Sequence, residues 1–488
     1  MKTTMLWSLP LFMGLALACG KKSTNNNNIT GGGGNQVDPP PVVVPTKSDV
    51  ELWLTQSDKT VLFKKQNTTL NFSVTSNSYS NIDVDETQTY QQIDGFGFCL
   101  TGGSASLLNS LTAANKDNVL KELFASDSTF IGISYLRISI GASDLSANTF
   151  TYDDMPSGQT DVNLDRFSID AEKTDLIPIL KKILAINPNI KILGSPWSPP
   201  VWMKSNGSFK AGSLKPECYA AYAQYFVKYI QAMKAQGITI DAITVQNEPL
   251  NGNNNPSLVM QSGEQATFVK NNLGPAFQAA GITTKIIVWD HNADVATYPL
   301  AILGDADAKK YVDGSAFHLY SGSITALSQV HDAFPDKNVY FTEQWVGGPG
   351  NFSGDLQWHV QNLIIGATRN WSRNVLEWNL ASDPSYNPHT SGGCNTCQGA
   401  LTISGDAVAR NVSYYIIAHA AKFVRPGSVR ISSAQTTNLS TVAFKNPDGK
   451  KVLIVLNKGA AQEMFNIKVG TRIVTTALSS GAVGTYVW

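Results

Sequence analysis

Three consecutive stretches decide the fold: KILGSPW at 191–197, an amphipathic run over 216–236, and AITVQNE at 242–248. The outer two are short and apolar up to a polar end, as buried strands are, whereas the middle one places apolar residues at three- and four-residue spacing. Strand, helix and strand in that order predict parallel strands joined by a crossover helix. The same unit repeats in both directions from about residue 91. Strands are predicted at Gln92–Cys99, Tyr135–Ile140, Lys191–Trp197, Ala242–Glu248, Lys285–His291, Gly314–Tyr320, Asn338–Gln344 and Asn374–Leu380. Helices are predicted near 104–126, 170–187, 216–236, 263–280, 297–312, 323–334, 355–371 and 410–424. Eight of each is what a (β/α)8 TIM barrel requires, so the class is α/β and the barrel spans 91–427.

Polar and aromatic residues collect where these strands finish: Ser195-Pro196-Trp197, Gln246-Asn247-Glu248, Asp290-His291, His318 and Tyr320, Glu343, and Trp378-Asn379. In a TIM barrel the carboxyl ends of the strands carry the active site, so these residues share one mouth. The flanks read differently. Residues 50–90 and 428–488 contain short strand-like runs, TVLFKK, LNFSV, STVAFK, KVLIVLN, FNIKV and GTYVW, with a hairpin signal at Asn446-Pro447-Asp448-Gly449. Because the two pieces straddle the barrel, they are expected to form one composite β-sandwich, structural or sugar-binding in role.

The chain ahead of the flanks bears on compartment. Met5–Ala18 is apolar, too short to span a bilayer, and ends in small residues before Cys19, which is the form of an export signal over 1–19. Leu15-Ala16-Leu17-Ala18-Cys19 resembles a bacterial lipoprotein signal, in which Cys19 would carry lipid; the alternative is plain secretion with cleavage near Ala18. Residues 20–49, rich in Asn, Gly and Pro, are expected to be a disordered tether. The expected location is therefore outside the cytoplasm, on a bacterial outer membrane through an N-terminal lipid or free, as a monomer. In an oxidising compartment Cys394 and Cys397, spaced C-N-T-C, form either a local loop clip or free thiols beside Cys99 and Cys218.

The 488 residues carry 37 Lys+Arg and 37 Asp+Glu, and this balance, with no basic run, excludes a nucleic-acid partner and favours a neutral polymer. Two carboxyl groups about 5–5.5 Å apart suffice to hydrolyse a β-glycosidic bond with retention, one attacking the anomeric carbon and one protonating the leaving oxygen. Glu248 in VQNEP and Glu343 in YFTEQ finish the fourth and seventh strands and can form such a pair. Pro249 cannot continue a ladder, so the chain leaves the sheet there and turns Glu248 into the mouth. A rim salt bridge is the alternative for either glutamate alone; together, at those two strands, they point to catalysis. The chemistry needs no cofactor, and no metal, nucleotide or haem motif is present.

Several motifs together resemble glycoside hydrolase family 30, the family of glucosylceramidases and of bacterial and fungal β-1,6-glucanases. They are Gly95-Phe96-Gly97, Tyr135-Leu136-Arg137-Ile138-Ser139 with Ala142-Ser143-Asp144, SPWSPPVWMK at 195–204, Thr244–Pro249, Phe317-His318-Leu319-Tyr320, Thr342-Glu343, Trp378-Asn379-Leu380 and Phe423-Val424-Arg425-Pro426-Gly427. The resemblance implies that Glu248 is the acid/base and Glu343 the nucleophile. It implies that Asn247, Trp197, Tyr320 and Trp378 line the pocket for the sugar at the cleavage point. Arg137 and His318 would give polar support to Glu343, or else be satisfied polar residues of the barrel interior. Trp345 and Trp358 could line a leaving-group subsite or simply pack.

Glucosylceramidases carry Thr-Asp-Ala-Ala after the first strand, where the Asp holds glucose hydroxyls; here the segment is Thr101-Gly102-Gly103-Ser104. Loss of that ligand leaves the 6-position open, as cutting inside a β-1,6-linked chain demands. The loops 250–256 and 383–393 are polar, unlike the apolar rim a ceramide tail would want. The expected substrate is thus β-1,6-glucan cut internally. A glucosylceramidase or exo-β-glucosidase is the alternative, a xylan- or fucose-directed relative stands third, and an inactive glucan-binding surface lipoprotein is the reading from another class.

Overall fold

The computed structural model describes residues 47–488; the signal segment, Cys19 and the linker up to Thr46 lie outside the described residues. Gly95–Cys99, Tyr135–Ser139, Lys191–Ser195, Ala242–Thr244, Lys285–Ala293, Val312–Gly322, Asn338–Glu343 and Ser372–Asn379 close into an eight-stranded barrel, each pairing in parallel with its sequence neighbours and the last with the first. All eight predicted strands are there. Inside the barrel, Tyr135, Leu193, Ala242, Ile287, Ala316, Tyr340 and Leu376 pack as one layer, one residue from each of seven strands. The first strand offers Gly97 at that level, facing Tyr135 and Leu376, and a Cβ there would sit 1.9 Å from the Tyr135 carbonyl oxygen. Each large apolar side chain so buried contributes about 1.5–3 kcal/mol.

Strand four is shorter than its sequence predicts. It ends at Thr244, because Asn247 N–H donates to Pro196 O at 2.8 Å and Glu248 N–H to Asp290 O at 3.0 Å, outside the regular ladder. Glu248 takes φ +44°, a left-handed conformation uncommon outside glycine, and Pro249 follows. The helices after strands four and seven each contain a π-helical stretch, Val269–Leu273 and Val360–Ala367, a feature frequent near functional sites.

Both flanks join one β-structure, as expected from their composition. Lys64–Lys65, Glu51–Thr55, Val483–Val487, Lys451–Asn457, Leu439–Lys445, Val429–Ser433 and Ser80–Gln92 pair in that order, and Ser80–Gln92 pairs on through its first residues with Glu463–Val469 and then Arg472–Leu478. Four of these strands, Glu51–Thr55, Ser80–Gln92, Val429–Ser433 and Arg472–Leu478, lie outside the predicted runs. LNFSV forms only a bridge at Ser73, and TVLFKK contributes only its last two residues.

KVLIVLN shows why a strand can be apolar throughout. Val452, Ile454 and Leu456 face the barrel core, whereas Leu453 and Val455 face the interior of the sandwich, so both sides of the pleat are dry. The seam also contains His419, fully buried on the last barrel helix, Val412–Ala421. Its Nδ1 lies 2.9 Å from Thr485 Oγ1 and its Nε2 2.8 Å from Thr55 Oγ1, one threonine from each chain end.

Candidate active site

Arg137, from the second strand, is fully buried and reaches four partners. Nη1 donates to Glu343 Oε2; Nη2 donates to Asn247 Oδ1 at 2.6 Å, to Asp290 Oδ2 at 2.8 Å and to Ser195 Oγ at 3.2 Å. The guanidinium also lies 4.8 Å from the Trp197 ring and 5.7 Å from that of Trp378. Those two indoles pack at 5.4 Å and are 1% and 3% exposed, so they lie almost wholly buried beside Arg137. Trp345 packs against the same cluster, whereas Trp358 is 40% exposed and outside it.

The glutamates meet at His318. Its Nδ1 lies 3.1 Å from Glu248 Oε1 and 3.8 Å from Glu343 Oε1, and its Nε2 3.1 Å from Asp290 Oδ1. One oxygen of each glutamate and a ring nitrogen of His318 fall within 4.8 Å of one another. The expectation that His318 supports Glu343 is therefore adjusted, since Glu248 is its nearer partner. Glu343 Oε1 also accepts from Tyr320 Oη at 2.9 Å, and Glu248 Oε2 accepts from Asn251 Nδ2 at 2.7 Å. Tyr320 is 38% exposed, which puts its ring where a ligand can reach it.

These contacts set the charges. Burial pushes His318 down, but Glu343, Asp290 and Glu248 outweigh it and carry the imidazole up to about 9. Burial pushes Glu248 up, but the hydrogen bond and charge of His318, with His291 and Asn251, bring it down to about 2. Glu343 is raised, by burial first and by the charges of Glu248 and Asp290, against the opposing pull of His318 and Arg137. Burial, with the nearby Glu343, takes Asp144 up to about 7.

The eight residues assigned to catalysis or sugar binding from the sequence, Glu248, Glu343, Asn247, Trp197, Tyr320, Trp378, His318 and Arg137, thus fall in one constellation. Four participants received no role in that reading, among them His291, which appeared only as a polar strand end. Asp290 appeared there only as a polar strand end, Asn251 only within a polar loop, and Asp144 only within a family motif. Asp144 is 5% exposed with Oδ1 free of any partner among the described residues, and its Oδ2 accepts from Cys394 N–H at 3.3 Å. Cys394 and Cys397 are joined, which realises the loop clip, while Cys99 and Cys218 are free and buried. The clipped loop spans the mouth: Thr390 N–H donates to Asp144 O at 2.8 Å, and Asn255 Nδ2 to Ser391 O at 2.8 Å. Gly102 faces the same turn, a Cβ there meeting only Ser146, with Oγ at 3.1 Å.

Known proteins share this arrangement of parts. Residues 93–424 match the glycosyl hydrolase family 30 TIM-barrel domain and residues 427–486 the family 30 beta sandwich domain. An endo-1,6-beta-D-glucanase of Aspergillus fumigatus is 36% identical over 78% of this chain and 82% of its own length. The lysosomal acid glucosylceramidase of Mus musculus is 28% identical over 82% of this chain and 81% of its own. Among solved structures, the endo-beta1,6-glucanase BT3312 superposes with a TM-score of 0.85 at 36% identity, over 91% of this chain and 99% of that one. With barrel and sandwich both matched and a pair of glutamates, one just beyond strand four and one at the end of strand seven, the chain belongs to glycosyl hydrolase family 30 and is a glycoside hydrolase.

Proposed function

We propose that this glycosidase is an endo-β-1,6-glucanase acting by double displacement, with Glu343 as nucleophile and Glu248 as acid/base. The observation that carries the mechanism is the approach of the two glutamates to within 4.8 Å, oxygen to oxygen. That fits the roughly 5–5.5 Å of retaining glycosidases and not the about 6.5–9.5 Å an inverting enzyme keeps for its water. Arg137 and Tyr320 both donate to Glu343, as a group that must attack in its ionised form requires.

In the free site the charges run opposite to the needs of the first step, for Glu248 is the more acidic glutamate and must be the proton donor. Coupling with His318 resolves this. The two groups lie 3.1 Å apart and hold one proton between them up to about pH 9, the value to which His318 is raised. A sugar that displaces water from the mouth disfavours the separated charges, so the proton moves from His318 Nδ1 to Glu248 and from there to the leaving oxygen. Glu343 then holds the glycosyl group until Glu248, now ionised, takes a proton from the attacking water.

The substrate reading rests on the greater likeness to the fungal endo-1,6-glucanase than to the mouse glucosylceramidase, together with the polar loops 250–256 and 383–393. Gly102 adds to it, since only Ser146 bounds the space beside it. Product analysis on β-1,6-glucan tests the proposal: short oligosaccharides should precede glucose. Release of glucose alone from chain ends, or cleavage of glucosylceramide with none of the glucan, overturns it. Absence of turnover on every β-glycoside would favour the binding protein instead. For location, the apolar run ending at Cys19 supports export with a lipid on that cysteine, and Cys19→Ala should then release the protein from membranes.

A further inference from the structure

Asp290 sits on the fifth strand, which bears neither catalytic glutamate. It is fully buried, and five side chains converge on its carboxylate. Oδ2 accepts from Arg137 Nη2 at 2.8 Å, Ser195 Oγ at 2.6 Å and Thr244 Oγ1 at 2.7 Å. Oδ1 accepts from Thr342 Oγ1 at 2.6 Å and lies 3.1 Å from His318 Nε2. One side chain therefore ties together strands two, three, four, six and seven, and its backbone oxygen takes the Glu248 N–H at 3.0 Å. A carboxylate has about four lone-pair sites, so five donors saturate it. Trp289 and Asp290 both take positive φ, +75° and +68°, a left-handed backbone that non-glycine residues adopt at some strain and that is over-represented at functional sites.

The two oxygens serve different glutamates. Oδ2 binds Arg137, whose other terminal nitrogen binds Glu343; Oδ1 faces His318, whose other ring nitrogen faces Glu248. We propose that Asp290 is the positioning residue for both steps of the reaction, aiming Arg137 at Glu343 with one oxygen and His318 at Glu248 with the other. This rests on the double-displacement reading above. It also makes the pH window of the enzyme a property of a residue that touches no sugar. His318 is faced by Glu248 from strand four, Asp290 and His291 from strand five, Glu343 from strand seven and Tyr320 from its own strand, with Arg137 beyond Asp290. Without the anion on Nε2, His318 gives up its proton at lower pH, and the pair it forms with Glu248 loses the proton the leaving group needs. Without the same anion beside Glu343, that glutamate ionises at lower pH as well.

The test is Asp290→Asn, which keeps the shape and removes the charge, assayed as kcat/KM against pH on β-1,6-glucan and on dinitrophenyl β-gentiobioside. On the glucan the alkaline limb should move down by about 1–3 pH units, the range a single neighbouring charge commands. The aryl substrate leaves without a proton, so any alkaline limb it shows has another source and should stay while its acid limb moves down. A uniform loss of kcat with both limbs unmoved on both substrates means a merely structural residue and overturns the proposal. Glu343→Gln is the control that separates the two readings: if it retains turnover, double displacement fails whatever Asp290→Asn does. Should Asp290→Asn not fold, the imidazole 15N shifts of His318 in the unaltered enzyme decide. A hydrogen that stays on Nε2, toward Asp290, while Nδ1 titrates upholds the proposal, and a ring that loses the Nε2 hydrogen first overturns it.

Discussion

Acid should loosen the joint between barrel and sandwich through one histidine. Thr485 Oγ1 donates to the His419 carbonyl at 3.0 Å, so toward the ring it can only accept, and Nδ1 carries the hydrogen. Thr55 Oγ1 already accepts from Phe63 N–H at 3.1 Å, which leaves its own hydrogen for Nε2. The neutral tautomer is fully satisfied, and a second ring proton would displace the hydrogen that Thr55 Oγ1 donates to Nε2 and leave that hydrogen without an acceptor. Burial accordingly takes His419 down from 6.5 to about 3. Between those values the unfolded chain binds a proton that the folded chain refuses, so the contribution is whole above pH 6.5 and is lost as pH falls toward about 3. At about 1.4 kcal/mol per pH unit the loss between pH 7 and pH 5 is about 2 kcal/mol. His419→Asn does not titrate. At pH 7 it should be less stable by about 1–3 kcal/mol, because Thr55 loses its acceptor. Urea unfolding of both proteins at pH 7 and pH 5 measures this, and the gap between them should narrow by about 2 kcal/mol at the lower pH. Parallel losses in the two proteins would refute the assignment of the proton to His419.

Other consequences follow from the site. Arg137→Lys keeps the charge but cannot span Glu343, Asp290 and Asn247 at once, so kcat/KM should drop about 10²-fold with the fold intact, as circular dichroism and steady-state kinetics would report. In the unaltered enzyme, kcat/KM should fall on the acid side as Glu343 takes up a proton, at a pH above the ordinary 4.5, and on the alkaline side near 9 as His318 loses its own; an alkaline limb near 6.5 would mean that His318 is not held as a cation. Cys394→Ser with Cys397→Ser should raise KM for the glucan several-fold while leaving secondary structure unchanged, because the loop they clip holds the Asp144 turn. An unchanged KM would detach that loop from binding.

The barrel was legible because its strands are apolar runs, six of them closed by polar or aromatic residues, and because parallel strands alternate with amphipathic helices. Ser80–Gln92 was not. Only Ile82 and Val84 of its side chains are buried, and its partners lie several hundred residues away, so no local apolar run announces it. LNFSV misleads for the converse reason: Leu70 and Phe72 pack on the sandwich while Val74 is exposed, but Leu70 O is taken by Val50 N–H and Phe72 N–H by an Asp49 oxygen, which leaves no ladder. The glutamates could be found from their strands. Asp290 could be located but not interpreted, because its five partners come from five other strands and meet only when the barrel closes. The nearer partner of His318 likewise depends on Glu248 turning back at φ +44°, which no residue type announces.

Trapping the glycosyl-enzyme tests the central claim most directly. A 2-deoxy-2-fluoro-β-gentiobiosyl donor with a good leaving group slows the second step more than the first, so the intermediate accumulates and peptide mass spectrometry can locate it. The sugar should be found on Glu343, with Glu248→Ala still labelled by the activated donor because that step needs no acid. Label on Glu248, or rapid release of the α-anomer with no label at all, would contradict it.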